Sequence, residues 1–188
     1  MKTRVHGVSI LLTVTLLALA GSTIGAPKPK RGAERSPVDT ASISAQVKHK
    51  LAMLPWYGVF DDLGYQVKGS EVILTGQVVG QHAQTKHDAE KEVKSISGVT
   101  QVVNNIEVLP TSPFDDQIRR AEYRAIFSRP DLSGYSMGTI PQIHIIVKGG
   151  HVTLEGTVMN QMDRNVAEVS AKSVPGVFSV TNNLRVAG

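Results

Sequence analysis

The sequence predicts an α+β protein of two tandem α-β-β-α-β modules, each with a three-stranded mixed sheet and two helices on one face. A strand segment occurs twice, as VKGSEVILTGQV (67–78) and VKGGHVTLEGTV (147–158). A closing segment also occurs twice, as SGVTQVVNNIEV (97–108) and PGVFSVTNNLRV (175–186). A helical pattern of apolar residues precedes each strand pair, so one small supersecondary unit is repeated along the chain.

The first module (39–110) begins with a helix that starts near Asp39, a residue type that favours the N-cap position, and ends at Pro55. Its apolar positions recur at helical spacing and are Ile43, Val47, Leu51 and Leu54. Strands are predicted at about 65–67 and 71–79, a second helix at about 81–95 and a last strand at about 100–108. The strand–helix–strand connection predicts a parallel pair, and the hairpin predicts an antiparallel pair. The last strand is expected to turn Val102, Ile106 and Val108 inward.

The second module (111–188) repeats this order. Asp115 and Asp116 are predicted to cap its first helix, and Pro130 takes the place of Pro55. The loop that follows, 131–141, is about five residues longer than its counterpart. The remaining predicted elements are strands at about 142–147, 151–158 and 178–186 and a helix at about 161–173.

Glycines recur at matching positions of the two modules and are predicted to serve the backbone. They lie in hairpin turns (Gly69 and Gly149), at close approaches between a strand and a helix (Gly76 and Gly156) and at helix C-caps (Gly98 and Gly176). The asparagine pairs at 104–105 and 182–183 are likewise expected to bond to neighbouring backbone groups rather than to a ligand.

The amino-terminal region predicts export. Residues 1–22 have the pattern of a cleavable secretory signal, with Lys2 and Arg4 before an apolar run and small residues after it. The run of about 13 residues is too short to cross a bilayer. We therefore expect no transmembrane span after cleavage, with an uncleaved anchor as the alternative. Residues 23–38 are rich in Pro and Lys and are predicted to form a disordered linker.

Charge and composition exclude several classes of function. The chain has 20 Lys and Arg residues against 16 Asp and Glu, but residues 39–188 have 14 against 15. Because a nucleic-acid-binding protein concentrates positive charge on its folded domain, we expect no nucleic acid partner. The chain has no cysteine, which excludes disulfides, Cys-ligated metal sites and thiol catalysis.

The remaining polar residues predict no catalytic or metal-binding site. The histidines lack i,i+4 pairs and lack acidic partners at ligand spacing. In the acidic pairs Asp61–Asp62 and Asp115–Asp116 the two residues are adjacent, so their carboxylates do not face each other on a helix or strand. We therefore expect no enzyme activity, no cofactor and no metal, and a hydrolase built on these acids is the least favoured alternative.

The order of elements and three motifs resemble the BON domain family. The motifs are a Lys-Gly turn before V-x-L-x-G-x-V, Ala-x3-[Ala/Val]-x2-[Val/Ile]-x-Gly-Val, and Val-x-Asn-Asn-[Ile/Leu]-x-Val. Both copies match, from about residue 41 to 187. The resemblance implies a tandem two-BON protein of the bacterial periplasm or envelope. It also implies association with phospholipid surfaces, a part in envelope integrity or osmotic protection, and no known catalysis.

The first helix of the second module contains the first candidate for lipid binding. Arg119, Arg120 and Arg124 are predicted to form one basic face, with Arg129 just beyond it. Guanidinium groups bind phosphate in a bidentate manner, whereas a solvated helix face is the alternative. Glu122 departs from the repeat because the first module has Val47 there, so this helix is expected to be less buried or specialised.

The second candidate is the aromatic segment 54–60, which contains Trp56, Tyr57 and Phe60. Trp and Tyr side chains suit the membrane interface because their rings are amphipathic. The alternative is that these rings cover the end of the small core or the joint between the modules.

Together these features predict a non-catalytic periplasmic protein that binds an anionic phospholipid surface and supports envelope integrity or osmotic stress protection. The alternative is an envelope scaffold that binds a protein partner or the cell wall through its sheets or the aromatic segment.

Overall fold

The computed structural model describes residues 39–188, and the predicted signal (1–22) and linker (23–38) lie outside this range. The first module contains α1 (Thr40–Ala52), β1 (Asp62–Lys68), β2 (Glu71–Val78), α2 (Gln84–Lys94), β3 (Gln101–Asn104) and β4 (Glu107–Val108). The second contains α3 (Pro113–Phe127), β5 (Ile143–Lys148), β6 (His151–Val158), α4 (Gln161–Lys172), β7 (Ser179–Asn182) and β8 (Arg185–Val186). The predicted α+β fold of two repeated modules is confirmed.

Each module has a mixed sheet in which the last predicted strand is interrupted. β1 pairs antiparallel with β2, whereas β3 and β4 both run parallel to β2. The second module repeats this pairing with β5 to β8. At the interruption the Asn104 side chain donates to the Lys86 carbonyl at 2.9 Å and accepts from the Ile106 N–H at 3.2 Å. Asn182 makes the same two bonds in the second module, so the first asparagine of each pair serves the backbone, as predicted.

The helices of each module enclose an apolar core against the sheet. The buried residues of α1 and β2 have the predicted spacing and are Ile43, Val47, Leu51, Val72, Leu74 and Val78. Full burial of one such side chain contributes about 1.5–3 kcal/mol, so the apolar stripe of the helix is what holds it on the sheet. The predicted inward position of Val108 is wrong, because the interruption breaks the alternation: Val108 is exposed and Leu109 is buried.

Two of the predicted glycine roles are corrected. Gly76 and Gly156 have φ angles of +113° and +120°, and a Cβ at either position would lie 2.1 Å from a carbonyl oxygen of the neighbouring antiparallel strand segment. The close approach therefore joins two strands rather than a strand and a helix. α2 and α4 end before Gly98 and Gly176, with serine at both C-caps, so these glycines belong to the turns that follow.

The first turn of α3 is built differently from the prediction. Ser112 is the N-cap, and its side chain accepts from the Asp115 N–H at 3.2 Å. Asp115 is buried, and its carboxylate accepts from the N–H groups of Gly149 and Gly150 at 2.9 and 2.8 Å. Asp115 is therefore not the cap, and it ties the start of α3 to the turn between β5 and β6.

The two modules meet where the segment after α1 packs on β5. The Ile145 N–H donates to the Val59 carbonyl at 2.7 Å. The ring of Tyr57 stacks on His144 with centroids 5.4 Å apart. Lys148 of β5 also forms an ion pair of 2.6 Å with Glu107 of the first module. Residues 57–60 thus form a structural joint between the modules.

Candidate functional site

The outward side of α3 presents two exposed arginines. Ile118 and Ile126 lie on its buried side. Arg120 follows Ile118 by two positions, and Arg124 follows the buried Glu122 by two positions. Two positions correspond to about 200° around the helix, so both arginines lie opposite the buried side, and both are exposed. Within residues 39–188 neither guanidinium group has an ion pair. The positive charge of α3 is therefore free to meet an anion.

Arg119 does not belong to this face, so the predicted basic face of three arginines is corrected. Only 4% of Arg119 is exposed. Its guanidinium group donates to the Asp116 carboxylate at 2.6 Å and to the Val147 carbonyl at 2.7 Å. The Arg119 side chain therefore links α3 to β5 through the bond to the Val147 carbonyl. Arg129 lies beyond the end of the helix and is exposed.

Glu122 lies under the arginine face, inside the core of the second module. Its exposed fraction is 0%, and neither carboxyl oxygen has a hydrogen-bond partner within residues 39–188. Burial disfavours the charged form and raises the pKa of Glu122 to about 8. The expectation of a less buried helix is wrong, because α3 packs on the sheet with this carboxyl inside.

The three aromatic candidates lie in different environments. Trp56 is 59% exposed and stacks on His82, with ring centroids 5.7 Å apart. Tyr57 and Phe60 are half-buried, and Phe60 contacts Tyr123 of α3 edge-on at a centroid distance of 6.4 Å. Only Trp56 is thus open to a ligand, while the other two rings pack in the joint between the modules.

An exposed apolar stripe on α4 was not predicted. Met162 and Val169 are 73% and 69% exposed, and the half-buried Val166 lies between them. The spacing i, i+4, i+7 places all three on one side of the helix. A position-by-position comparison of the two modules would have revealed the stripe, because the matching helix of the first module is polar there.

The acidic pairs have structural surroundings. Asp61 is buried and accepts from the N–H groups of Gly58 and Val79 at 3.1 and 2.8 Å. Desolvation raises the pKa of Asp61, although these two bonds oppose the change. In the described part of the chain, no group of three His, Asp or Glu side chains could hold a metal ion. No helix in that part is long and apolar enough to span a bilayer.

Comparisons with known proteins identify the modules. The family model of the BON domain matches residues 39–110 and 115–188. No curated protein matches the chain. Among solved structures, CdsD, a structural protein of the type III secretion system of Chlamydia trachomatis, is 12% identical, with 78% of this chain and 92% of that chain covered and a TM-score of 0.32. The structure of the CdsD C-terminal domain is 12% identical, with 80% of this chain and 100% of that chain covered and a TM-score of 0.28. These two likenesses are too weak to indicate a function.

Proposed function

This chain belongs to the BON domain family, with two copies of the domain, and on that premise we propose that it binds anionic phospholipid surfaces without catalysis. The proposal places the protein in the bacterial periplasm, where it supports envelope integrity or osmotic stress protection. The predicted signal at 1–22 supports this location.

The observation that carries the proposal is the outward pair Arg120 and Arg124 on α3. The matching positions of the first module are Ala45 and His49, so the repeated fold does not require arginine there. Arg129 adds a third positive charge near the end of the helix, where the first module has Leu54. The second module is therefore the lipid-facing one in this proposal.

Electrostatics make an anionic bilayer a suitable partner for this face. A Lys or Arg held near such a surface contributes about 1 kcal/mol, and guanidinium groups also bond phosphate oxygens directly. The contribution falls within a Debye length, which is about 10 Å at 0.1 M salt. Binding by the arginine face is therefore expected to weaken as salt is added.

Charge reversal at the arginine face tests the proposal. Arg120→Glu with Arg124→Glu is expected to weaken binding to vesicles of phosphatidylglycerol and phosphatidylcholine at low salt by about a hundredfold or more, because two attractive charges become repulsive. The measurement is co-sedimentation of the chain without its predicted signal.

The matched control is Lys68→Glu with Lys91→Glu, which changes the net charge equally at two exposed lysines of the first module. This variant is expected to keep most of the binding. If the wild-type chain does not sediment with anionic vesicles at low salt, or if both double variants lose binding equally, the arginine face is not the lipid site.

The alternative function, an envelope scaffold that binds a protein, is favoured by a second exposed group. Phe114 and Phe178 are 45% and 69% exposed, with ring centroids 6.1 Å apart, and His151 contacts Phe178 edge-on. Exposed aromatic side chains are frequent energetic centres of protein interfaces. Recovery of one dominant envelope protein by cross-linking, lost in Phe178→Ser, together with no vesicle binding, would support the alternative.

A further inference from the structure

The apolar stripe on α4, defined by Met162, Val166 and Val169, is covered only in part by its own module: Val166 packs against the core, whereas Met162 and Val169 are exposed. The core side of α4 is formed by the buried residues Ala167, Ser170 and Ala171. Met162 and Val169 point away from that side and are largely exposed. Single exposed apolar residues are common, but a stripe along two turns of a helix marks a contact surface.

The first module provides an internal comparison for this stripe. Ala89 of α2 corresponds to Ala167 of α4, so the stripe positions correspond to Gln84, Asp88 and Lys91. These two helices occupy the same place in the same fold, and one of them is polar where the other is apolar. The fold therefore does not require apolar residues here, and their presence in α4 needs another explanation.

One positively charged residue borders the stripe. Together with Arg129 and Asn165 the stripe lines a shallow groove of about 180 Å³ beside the end of α3, and Met162 also borders a depression lined by Asp131 and Asp163. The acidic side chains of α4 are engaged in hydrogen bonds and an ion pair. Asp163 accepts from Tyr135 and from the Asn160 side chain. Glu168 is paired with Lys172 and Asn182 on the strand side.

We propose that the stripe inserts into the boundary between headgroups and acyl chains of an anionic bilayer while the neighbouring arginines contact phosphate. This inference rests on the proposed function and adds a second, apolar contact to it. Charge complementarity favours an anionic bilayer as the partner. α3 and α4 pack against each other, and Arg129, just beyond the end of α3, lines the same groove as the stripe, while Arg124 is exposed on α3 itself. Such a combination suits a surface that is anionic outside and apolar inside.

The two contacts have different salt dependence. The arginine contact weakens when salt shortens the Debye length to about 3 Å at 1 M. Burial of apolar side chains does not depend on this screening. Binding that survives at high salt is therefore expected to come from the stripe. Met162→Gln with Val169→Lys is expected to weaken that remaining binding by about tenfold or more.

A fluorescence experiment tests insertion directly, because Trp56 is the one tryptophan of the chain. In a Trp56→Phe background, Val169→Trp places a reporter on the stripe, and Lys91→Trp places the matched control on α2. The probe is a vesicle of phosphatidylglycerol and phosphatidylcholine whose acyl chains carry bromine near the headgroup. We expect emission from position 169 to shift to shorter wavelength and to be quenched, while emission from position 91 stays unchanged.

The outcomes separate this inference from the proposed function. If the two tryptophan variants bind the vesicles but the emission from position 169 is neither shifted nor quenched, insertion of the stripe is overturned and the arginine contact stands. Equal quenching at positions 91 and 169 also overturns it, because the contact would then not be specific to the second module. If no chain binds the vesicles, the inference and the proposed function both fall.

Discussion

Glu122→Val is expected to raise the free energy of unfolding of the second module by about 3 kcal/mol at pH 7. Glu122 is fully buried, and its carboxyl group has no partner within residues 39–188. Valine is the residue that the first module has at the matching position, Val47, where it is also fully buried. The replacement removes the cost of an unsatisfied polar group and of the proton that Glu122 must take up on folding at pH 7, less a small loss of packed volume. Hydrogen exchange of the α3 and β5 amides measures the change in this module alone.

The stability of the wild-type protein should also depend on pH in a defined direction. Burial raises the pKa of Glu122 from 4.5 to about 8, so the folded state holds a proton that the unfolded chain has released. The contribution of the protonated Glu122 to the free energy of unfolding is therefore fully present below pH 4.5 and is lost as the pH rises towards 8. The slope in this window is about 1.4 kcal/mol per pH unit.

Glu122→Gln is the control for this pH effect, because glutamine keeps the shape of the side chain and does not titrate. Its stability should lack the slope that Glu122 gives the wild type between pH 5 and 8. Equal wild-type stability at both pH values, or a Glu122→Val protein that unfolds more easily, would contradict the assignment of a buried, unpaired carboxyl group.

Gly156→Ala is expected to lower the free energy of unfolding by more than about 4 kcal/mol. The residue has a φ of +120°, which an L-residue with a Cβ rarely adopts, and that Cβ would lie 2.1 Å from the Gln142 carbonyl oxygen. Because backbone rather than a flexible side chain occupies the space, β5 and β6 would have to separate. Urea denaturation followed by circular dichroism measures the loss.

Gly134→Ala is the matched control, because a Cβ at Gly134 meets no atom within 4 Å. It is expected to change stability little. A Gly156→Ala protein that is as stable as Gly134→Ala would show that the sheet can relax around the new methyl group and that the fold does not require glycine at this position.

The repeat explains why the fold could be predicted from the sequence. Two copies of one pattern identify the core positions, since Val72 and Val152 or Ala89 and Ala167 are apolar in both copies and buried in both. Glycine and asparagine positions could be found in the same way. The atoms that these residues contact could not be predicted. The space at Gly156 is occupied by the Gln142 carbonyl oxygen, and the sequence pattern around Gly156 does not show how close that strand lies.

The candidate site could be predicted only in part. Helical spacing could not decide between Arg119 and Arg120, because the burial of Arg119 depends on the Val147 carbonyl, 28 residues away. The position of Glu122 was visible as a difference between the copies, but its complete burial depends on how α3 packs. The α4 stripe matches no known sequence motif. It could have been recognised only by comparison with the first module, which has the polar residues Gln84, Asp88 and Lys91 at the matching positions.

The bond from the Ile145 N–H to the Val59 carbonyl has a consequence for aggregation. β5 is the edge strand of its sheet, and five of its six residues are buried. An open apolar edge of this kind pairs readily with strands of other molecules. The first module shields the edge, and because it precedes β5 in the chain, the shield is synthesised before the strand that needs it. A second module cut free of the first would present that edge to its neighbours and is expected to self-associate.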